Sequence, residues 1–220
     1  MRTDLIRKTV LTAAGIAAAG GGIAGPAIAA NAAPAEKPNT TASQQSDRKG
    51  HGEHELTMHY QAQPNFFYCG PAAARNALSV QGKDISIDAM ANEMGTNVHG
   101  TNSIFDITPV LNKETGKNAY HSVEMSSPTA DDKQTNQLQA DIVRTVDDGR
   151  AVVANIFGTA TDTDGNVHSY EGGHYISVIG YRDGAKTVTI ADSADPNMAS
   201  YRMSVDNLAD WIATRGYSTN

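Results

Sequence analysis

Apolar residues recur with regular spacing only from Leu56 onward. Ala72, Ala73, Ala74, Ala77 and Leu78 form a run of strong helix formers behind Cys69-Gly70-Pro71. A proline in the first turn is tolerated because its missing N–H would have no intrahelical partner there. This predicts a buried helix that starts at Cys69 and is capped near Gly82. Ser86 to Met94 predicts a second helix, with Ser86 as N-cap and Ile87, Met90, Ala91 and Met94 on one core-filling face. A third, short helix is expected over Ser103–Lys113, carrying Ile104, Ile107 and Leu111 and bent at Pro109. Thr129–Asp148 returns to helical period through Leu138, Ile142, Val143 and Val146, and Ser204 caps a last helix through Leu208, Trp211 and Ile212. Strands are expected at Thr57–Tyr60, Ala119–Met125 and Ala151–Gly158, and in two runs, His174–Tyr181 and Lys186–Asp192. Helices first and an antiparallel sheet after them make an α+β domain.

The last two runs are joined by Arg182-Asp183-Gly184-Ala185, a good hairpin turn. Folding about Asp183 places His174 opposite Asp192, Ile176 opposite Ile190 and Val178 opposite Val188, all on one surface. Cross-strand Cβ atoms lie about 5 Å apart, within reach of a carboxylate–imidazole hydrogen bond. A bulge would shift this pairing, so Asp195 is the second choice for the carboxylate. Gly172 and Gly173, just before the histidine, let backbone or substrate come close.

Chemistry enters with the only cysteine, Cys69. The positive end of a helix favours thiolate over thiol. Six residues upstream, Gln63 supplies an amide able to donate to a developing oxyanion. A nucleophilic thiol needs a base, and the base needs a third group to fix its tautomer. His174 and Asp192 offer both. A buried inert cysteine and a structural His–Asp pair are the competing readings.

The front of the chain differs in composition. Arg2, Arg7 and Lys8 precede an uncharged Thr9–Ala30 stretch rich in Ala, Gly and Ile, with small-residue cleavage motifs at Ala27-Ile28-Ala29 and Ala30-Asn31-Ala32. This order reads as a signal peptide over residues 1–29 and export from the cell. A permanent anchor is the alternative, but six Gly/Pro positions between Gly15 and Pro26 make a poor spanning helix. Arg7-Lys8 ahead of a Gly/Ala-rich core has something of a twin-arginine signal, with lysine in place of the second arginine. Residues 30–56 read as a disordered linker or propeptide, and 57–220 as the folded domain. Within the linker, His51, Glu53 and His54 (HGEH) are read as solvated side chains rather than metal ligands.

Removing residues 1–29 takes three basic residues and one acidic residue from 17 and 24, leaving 14 against 23 and a net charge of −9. That surface argues against nucleic acid or anionic membrane as partner. A single thiol permits no internal disulfide, although exported proteins of this size often use them. Asp162-Thr163-Asp164-Gly165-Asn166 begins like a calcium loop, yet the twelfth position is Gly173 instead of a bidentate Glu, so a polar hairpin tip is expected. His99 and His121 have no partner pattern. Neither cofactor nor metal is expected.

Gln63, Cys69-Gly70-Pro71-Ala72, Gly173-His174-Tyr175 and Ile190-Ala191-Asp192 resemble the C-39-like peptidases, papain-fold enzymes related to bacteriocin-leader processing peptidases. The resemblance spans roughly residues 57–215. It implies a papain-like fold, with the nucleophile helix packed on an antiparallel sheet. It also implies Cys69 as nucleophile, His174 as general base then acid, Asp192 as orienter, and Gln63 with the Cys69 N–H as oxyanion hole. One departure is that Asp192-Ser193 precedes Asp195-Pro196, where many relatives carry a single Asp-Pro. Leader peptidases of this kind are fused to an export ATPase for which this chain has no room, so Gly-Gly leader cleavage is not carried over. The expected protein is a secreted, monomeric cysteine peptidase acting on peptide or protein substrates. A phytochelatin-synthase-type acyl transferase, a cell-wall peptide hydrolase and a non-catalytic peptide-binding module are the alternatives.

Overall fold

The computed structural model describes residues 52–220. The expected leader, its cleavage motifs and most of the expected linker lie outside the described residues. The order is β1 (His54–Glu55), α1 (Cys69–Ser79), α2 (Ile87–Glu93), α3 (Ile104–Thr115), β2 (His121–Glu124), α4 (Asp132–Asp147), β3 (Val152–Thr161), β4 (Val167–Arg182), β5 (Thr187–Ala191), β6 (Ser200–Ser204), α5 (Val205–Ile212) and β7 (Gly216–Thr219). The strands form one antiparallel sheet in the order β2-β7-β3-β4-β5-β6, and β1 also pairs with β4. Among the described residues, no helix is long and apolar enough to cross a membrane.

Side-chain alternation along β3 and β4 gives the sheet two apolar faces. Val152, Ala154, Ile156, Ile176 and Val178 pack with Leu138, Ile142 and Val146 of α4 and with Leu208 and Ile212 of α5. Val153, Tyr175 and Ile179 pack with Ala73, Ala74 and Ala77 of α1 and with Met90, Ile107 and Leu111 from α2 and α3. Each fully buried Leu, Ile or Val contributes about 1.5–3 kcal/mol relative to exposure. Small alanines on α1 let its backbone lie close to the sheet, where Ser177 Oγ donates to the carbonyl of Ala73 at 2.8 Å.

The expected helix starts are seen where a cap was legible. Ser86 accepts from the Ala89 N–H, Ser103 forms a capping box with Asp106, and Ser204 accepts from the Asn207 N–H. The strand expected at Thr57–Tyr60 is absent. Side chains of α1 take the place of a neighbouring strand for this segment. Ser79 Oγ accepts the His59 N–H, Arg75 donates to the His59 carbonyl, and Asn76 both accepts from Gln61 N and donates to Gln61 O. The sheet instead begins earlier, inside the expected linker. His54 and Glu55 pair with Tyr181 and Gly180, and the His54 ring is buried against Asp147 at 3.1 Å, so His54 is not solvated.

The expected hairpin register is also corrected. Tyr181 pairs with Val188, three residues off the expected register, and an irregularity between Val178 and Gly180 takes one back, so that Val178 pairs with Ile190 rather than Val188 and Ser177 with Ala191. At the His174 end the shift is two residues. An even shift preserves which face each side chain occupies. His174 and Asp192 therefore become diagonal neighbours and still face one another.

Candidate active site

Cys69 is the first residue of α1, and every residue of this helix is buried. The chain enters through an Asx turn in which Asn65 Oδ1 accepts the Phe67 N–H at 2.9 Å. Gly70 is fixed by close packing: a Cβ there would lie 2.4 Å from Thr101 Oγ1 and 2.8 Å from Thr101 Cβ. Thr101 is itself held, because its hydroxyl bonds Thr96 at 2.7 Å and its carbonyl accepts from Tyr175. Gly70→Ala is therefore expected to cost about 1–3 kcal/mol through overpacking. For a domain of this size that lowers Tm by several degrees, about 2–4 °C per kcal/mol, in a calorimetric scan. Displacing Thr101 also moves a wall of the cleft beside Cys69, so activity should fall with it.

His174 Nε2 lies 2.7 Å from Asp192 Oδ1. The ring's other nitrogen is thereby left free of the carboxylate, and Cys69 is near enough to act on the ring's proton equilibrium. Both ring and carboxylate are almost fully buried. Burial alone would lower the His174 pKa, but Asp192 and Cys69 outweigh it and raise the value to about 9. The same contacts act in the opposite sense on Asp192. Burial would raise its pKa, and the His174 hydrogen bond, helped by the Ala194 N–H and Tyr170, brings it below the usual 3.8.

The Asp192 carboxylate is saturated with donors. Oδ1 takes His174 and the Ala194 N–H at 2.9 Å. Oδ2 takes the hydroxyls of Tyr170 at 2.9 Å and Tyr201 at 3.0 Å. Neither tyrosine was singled out from sequence. Tyr201 becomes visible once β6 is paired, since it faces Ile190 beside the end of β5. Tyr170 lies four residues before His174, normally too far along a strand to touch it, yet the rings stack at 4.0 Å. A bulge explains this contact. Gly158 pairs with Tyr170 and Ile156 with His174, so two residues of advance on β3 match four on β4. Gly173 absorbs the bend with φ +86°, a conformation that favours glycine.

Gln63 is placed beside this group. Its N–H bonds the Ser193 carbonyl at 2.9 Å, Ser193 Oγ donates to Gln63 Oε1 at 3.0 Å, and Gln63 Nε2 donates to the Asn65 carbonyl at 2.9 Å. Ser193, next to Asp192 in the chain, thus fixes which end of the amide is the donor. Asp195, the second choice, points elsewhere. It caps a short 3₁₀ turn by accepting the Asn197 N–H at 2.8 Å.

Cys69 opens onto a cleft of about 440 Å³, whose walls include Phe66, Phe67, Val98, Thr101, Asn155, Gly172, Gly173, Tyr175 and Arg215. His99 is exposed on its edge and His121 is exposed on β2. The calcium-like segment is the tip of the β3–β4 hairpin. Burial would raise the Asp162 pKa, but bonds from Asn166, His168 and the Asp164 N–H bring it down to about 2, and they occupy the carboxylate within the turn itself.

The sequence profile of the Peptidase_C39 like family matches residues 55–219. Among solved structures, the peptidase domain of Streptococcus ComA, a bi-functional ABC transporter involved in a quorum-sensing pathway, is 19% identical, with a TM-score of 0.51. The match covers 73% of this chain and 98% of that one. A C39-like peptidase from Bacillus anthracis is 13% identical, with a TM-score of 0.50, over 74% of this chain and 94% of its own. At such identities the likeness speaks to the fold, which is the papain-like α+β arrangement of these domains. No curated protein matches the chain.

Proposed function

Since the chain belongs to the Peptidase_C39 like family, we propose that it is an exported cysteine peptidase that hydrolyses peptide amide bonds through a thioester. The observation that carries this reading is one imidazole shared between Asp192 and a thiol at a helix start. With its pKa near 9, the His174 ring is protonated at neutral pH, the state that suits a thiolate partner. The thiolate attacks the scissile carbonyl carbon. His174 gives its proton to the leaving amine, then takes a proton from the water that cleaves the thioester. Asp192 holds the ring's orientation throughout. Negative charge that develops on the carbonyl oxygen is met by the Cys69 N–H and by the Gln63 amide, which has one N–H left after bonding Asn65. Export rests on the leader at residues 1–29.

The test is cleavage of a peptide library by the full chain in H₂¹⁸O. Hydrolysis places one ¹⁸O in each new carboxyl terminus. Products lengthened by a second peptide, without the label, would mark acyl transfer instead. Gln63→Ala should lower kcat/KM by about 10²-fold or more. Because Gln63 is half-buried and its amide makes only edge contacts, Tm should change little. An unchanged kcat/KM in that variant would remove Gln63 from the oxyanion hole.

A further inference from the structure

The cleft wall carries one cation whose guanidinium has no carboxylate partner among the described residues. Arg75, Arg144, Arg150 and Arg182 each have one within 4.0 Å, at Asp84, Asp141, Asp148 and Glu53, while Arg202 on β6, away from the cleft, has none. Arg215 has none, although it lines the same cleft as Cys69. It is nevertheless held in place. Its guanidinium sits 5.0 Å over the Phe157 ring, and its backbone carbonyl accepts the Met125 N–H at 3.0 Å. Phe157 faces the bulge of β4, so the irregularity that stacks Tyr170 on His174 also supports Arg215. Glycines fill the strip beside it: a Cβ on Gly173 would lie 3.7 Å from Arg215 Nη2. An extended peptide could therefore run past Gly172 and Gly173 with nothing between it and the guanidinium.

In a chain of net charge −7, an exposed, ring-supported arginine with no carboxylate partner, in the same cleft as the nucleophile, is a docking point for an anion. We propose that Arg215 is a specificity-determining residue that receives a carboxylate of the peptide substrate, close to the bond that is cut. This rests on the peptidase reading of the Cys69 cleft. Arg215 presents a planar fork of donors matched to a carboxylate, and it takes no part in the bond-breaking steps. The carboxylate comes either from an Asp or Glu side chain or from the substrate's own C-terminus.

The experiment uses matched peptides scanned with a single Glu or Gln at each position, all C-terminally amidated, and the Gln set again with a free C-terminus. Cleavage is followed with wild type, Arg215→Gln and Arg215→Lys. In parallel, binding of the same fluorescently labelled peptides to Cys69→Ala and to Cys69→Ala/Arg215→Gln is read by anisotropy. A Glu-over-Gln preference of about fivefold or more at one position, lost in Arg215→Gln and partly kept in Arg215→Lys, supports the proposal and assigns the side chain as source. The same pattern for free over amidated termini assigns the C-terminus. Equal cleavage of all sets, or a preference that survives Arg215→Gln, overturns the proposal and leaves the peptidase intact. If wild type cuts nothing, the peptidase reading fails separately. The binding arm then decides the anion site, with Arg215-dependent discrimination supporting it and indifference overturning it.

Discussion

Cys69→Ala will lower peptide turnover by about 10⁴-fold or more, to the level that oxyanion donors and binding alone can sustain. The side chain is small and nearly buried at the start of a helix anchored by its alanine face, so the substitution leaves the fold in place. Circular dichroism and Tm of the variant should match those of the parent, separating lost chemistry from lost structure. Alkylation gives a second line of evidence on the same atom. With one cysteine in the chain, iodoacetamide can add one carboxamidomethyl group, and the fraction of protein carrying it should equal the fraction of activity lost. Residual turnover above about one per cent in Cys69→Ala would take the nucleophile away from this residue, and the thioester route with it.

How much of this was legible in the sequence depends on which interactions are local. The start of α1 at Cys69 follows from Pro71 and the alanine run, and Ser86, Ser103 and Ser204 announce their helices because a cap acts within three residues. The strand expected at Thr57–Tyr60 is absent because the backbone from His59 to Gln61 is held by Arg75, Asn76 and Ser79, whose side chains face it only after α1 has packed. His54 was misread for a similar reason. Its partner Asp147 is 93 residues away, at the end of α4. The facing of His174 and Asp192 was read correctly through a wrong register, since a two-residue slip keeps the face. Tyr170 was hidden by the bulge that brings it onto His174, and a bulge leaves only glycines as its trace.

Asp192→Asn is the second large effect expected, and it separates orientation from charge. The variant keeps the shape of a carboxylate whose four donors are His174, the Ala194 N–H, Tyr170 and Tyr201. The new amide oxygen can go on accepting from His174 and Ala194, while the two tyrosine hydroxyls rotate to accept from its NH₂. The fold should therefore survive, whereas Asp192→Ala would strand the buried donors of His174 and Tyr201 and destabilise the domain by several kcal/mol. What Asn removes is the negative charge that helps hold the His174 pKa near 9. In the wild type, His174 loses its proton as pH rises through about 9, and kcat/KM should fall along the same limb. Stability follows the same sign. The folded value lies above the ordinary 6.5, so this ring's contribution is fully present below about pH 6.5 and is lost as pH climbs through 9. With Asp192→Asn the alkaline limb of kcat/KM should move to lower pH. Activity at the optimum should drop by about 10³-fold, as expected when the group that holds the catalytic ring loses its charge. A pH–rate profile from 5 to 10 on both proteins reads the two effects together. If the limb stays where it is while activity falls, Asp192 acts only by packing; if neither changes, the carboxylate that matters lies elsewhere, and Asp195→Asn becomes the variant to measure.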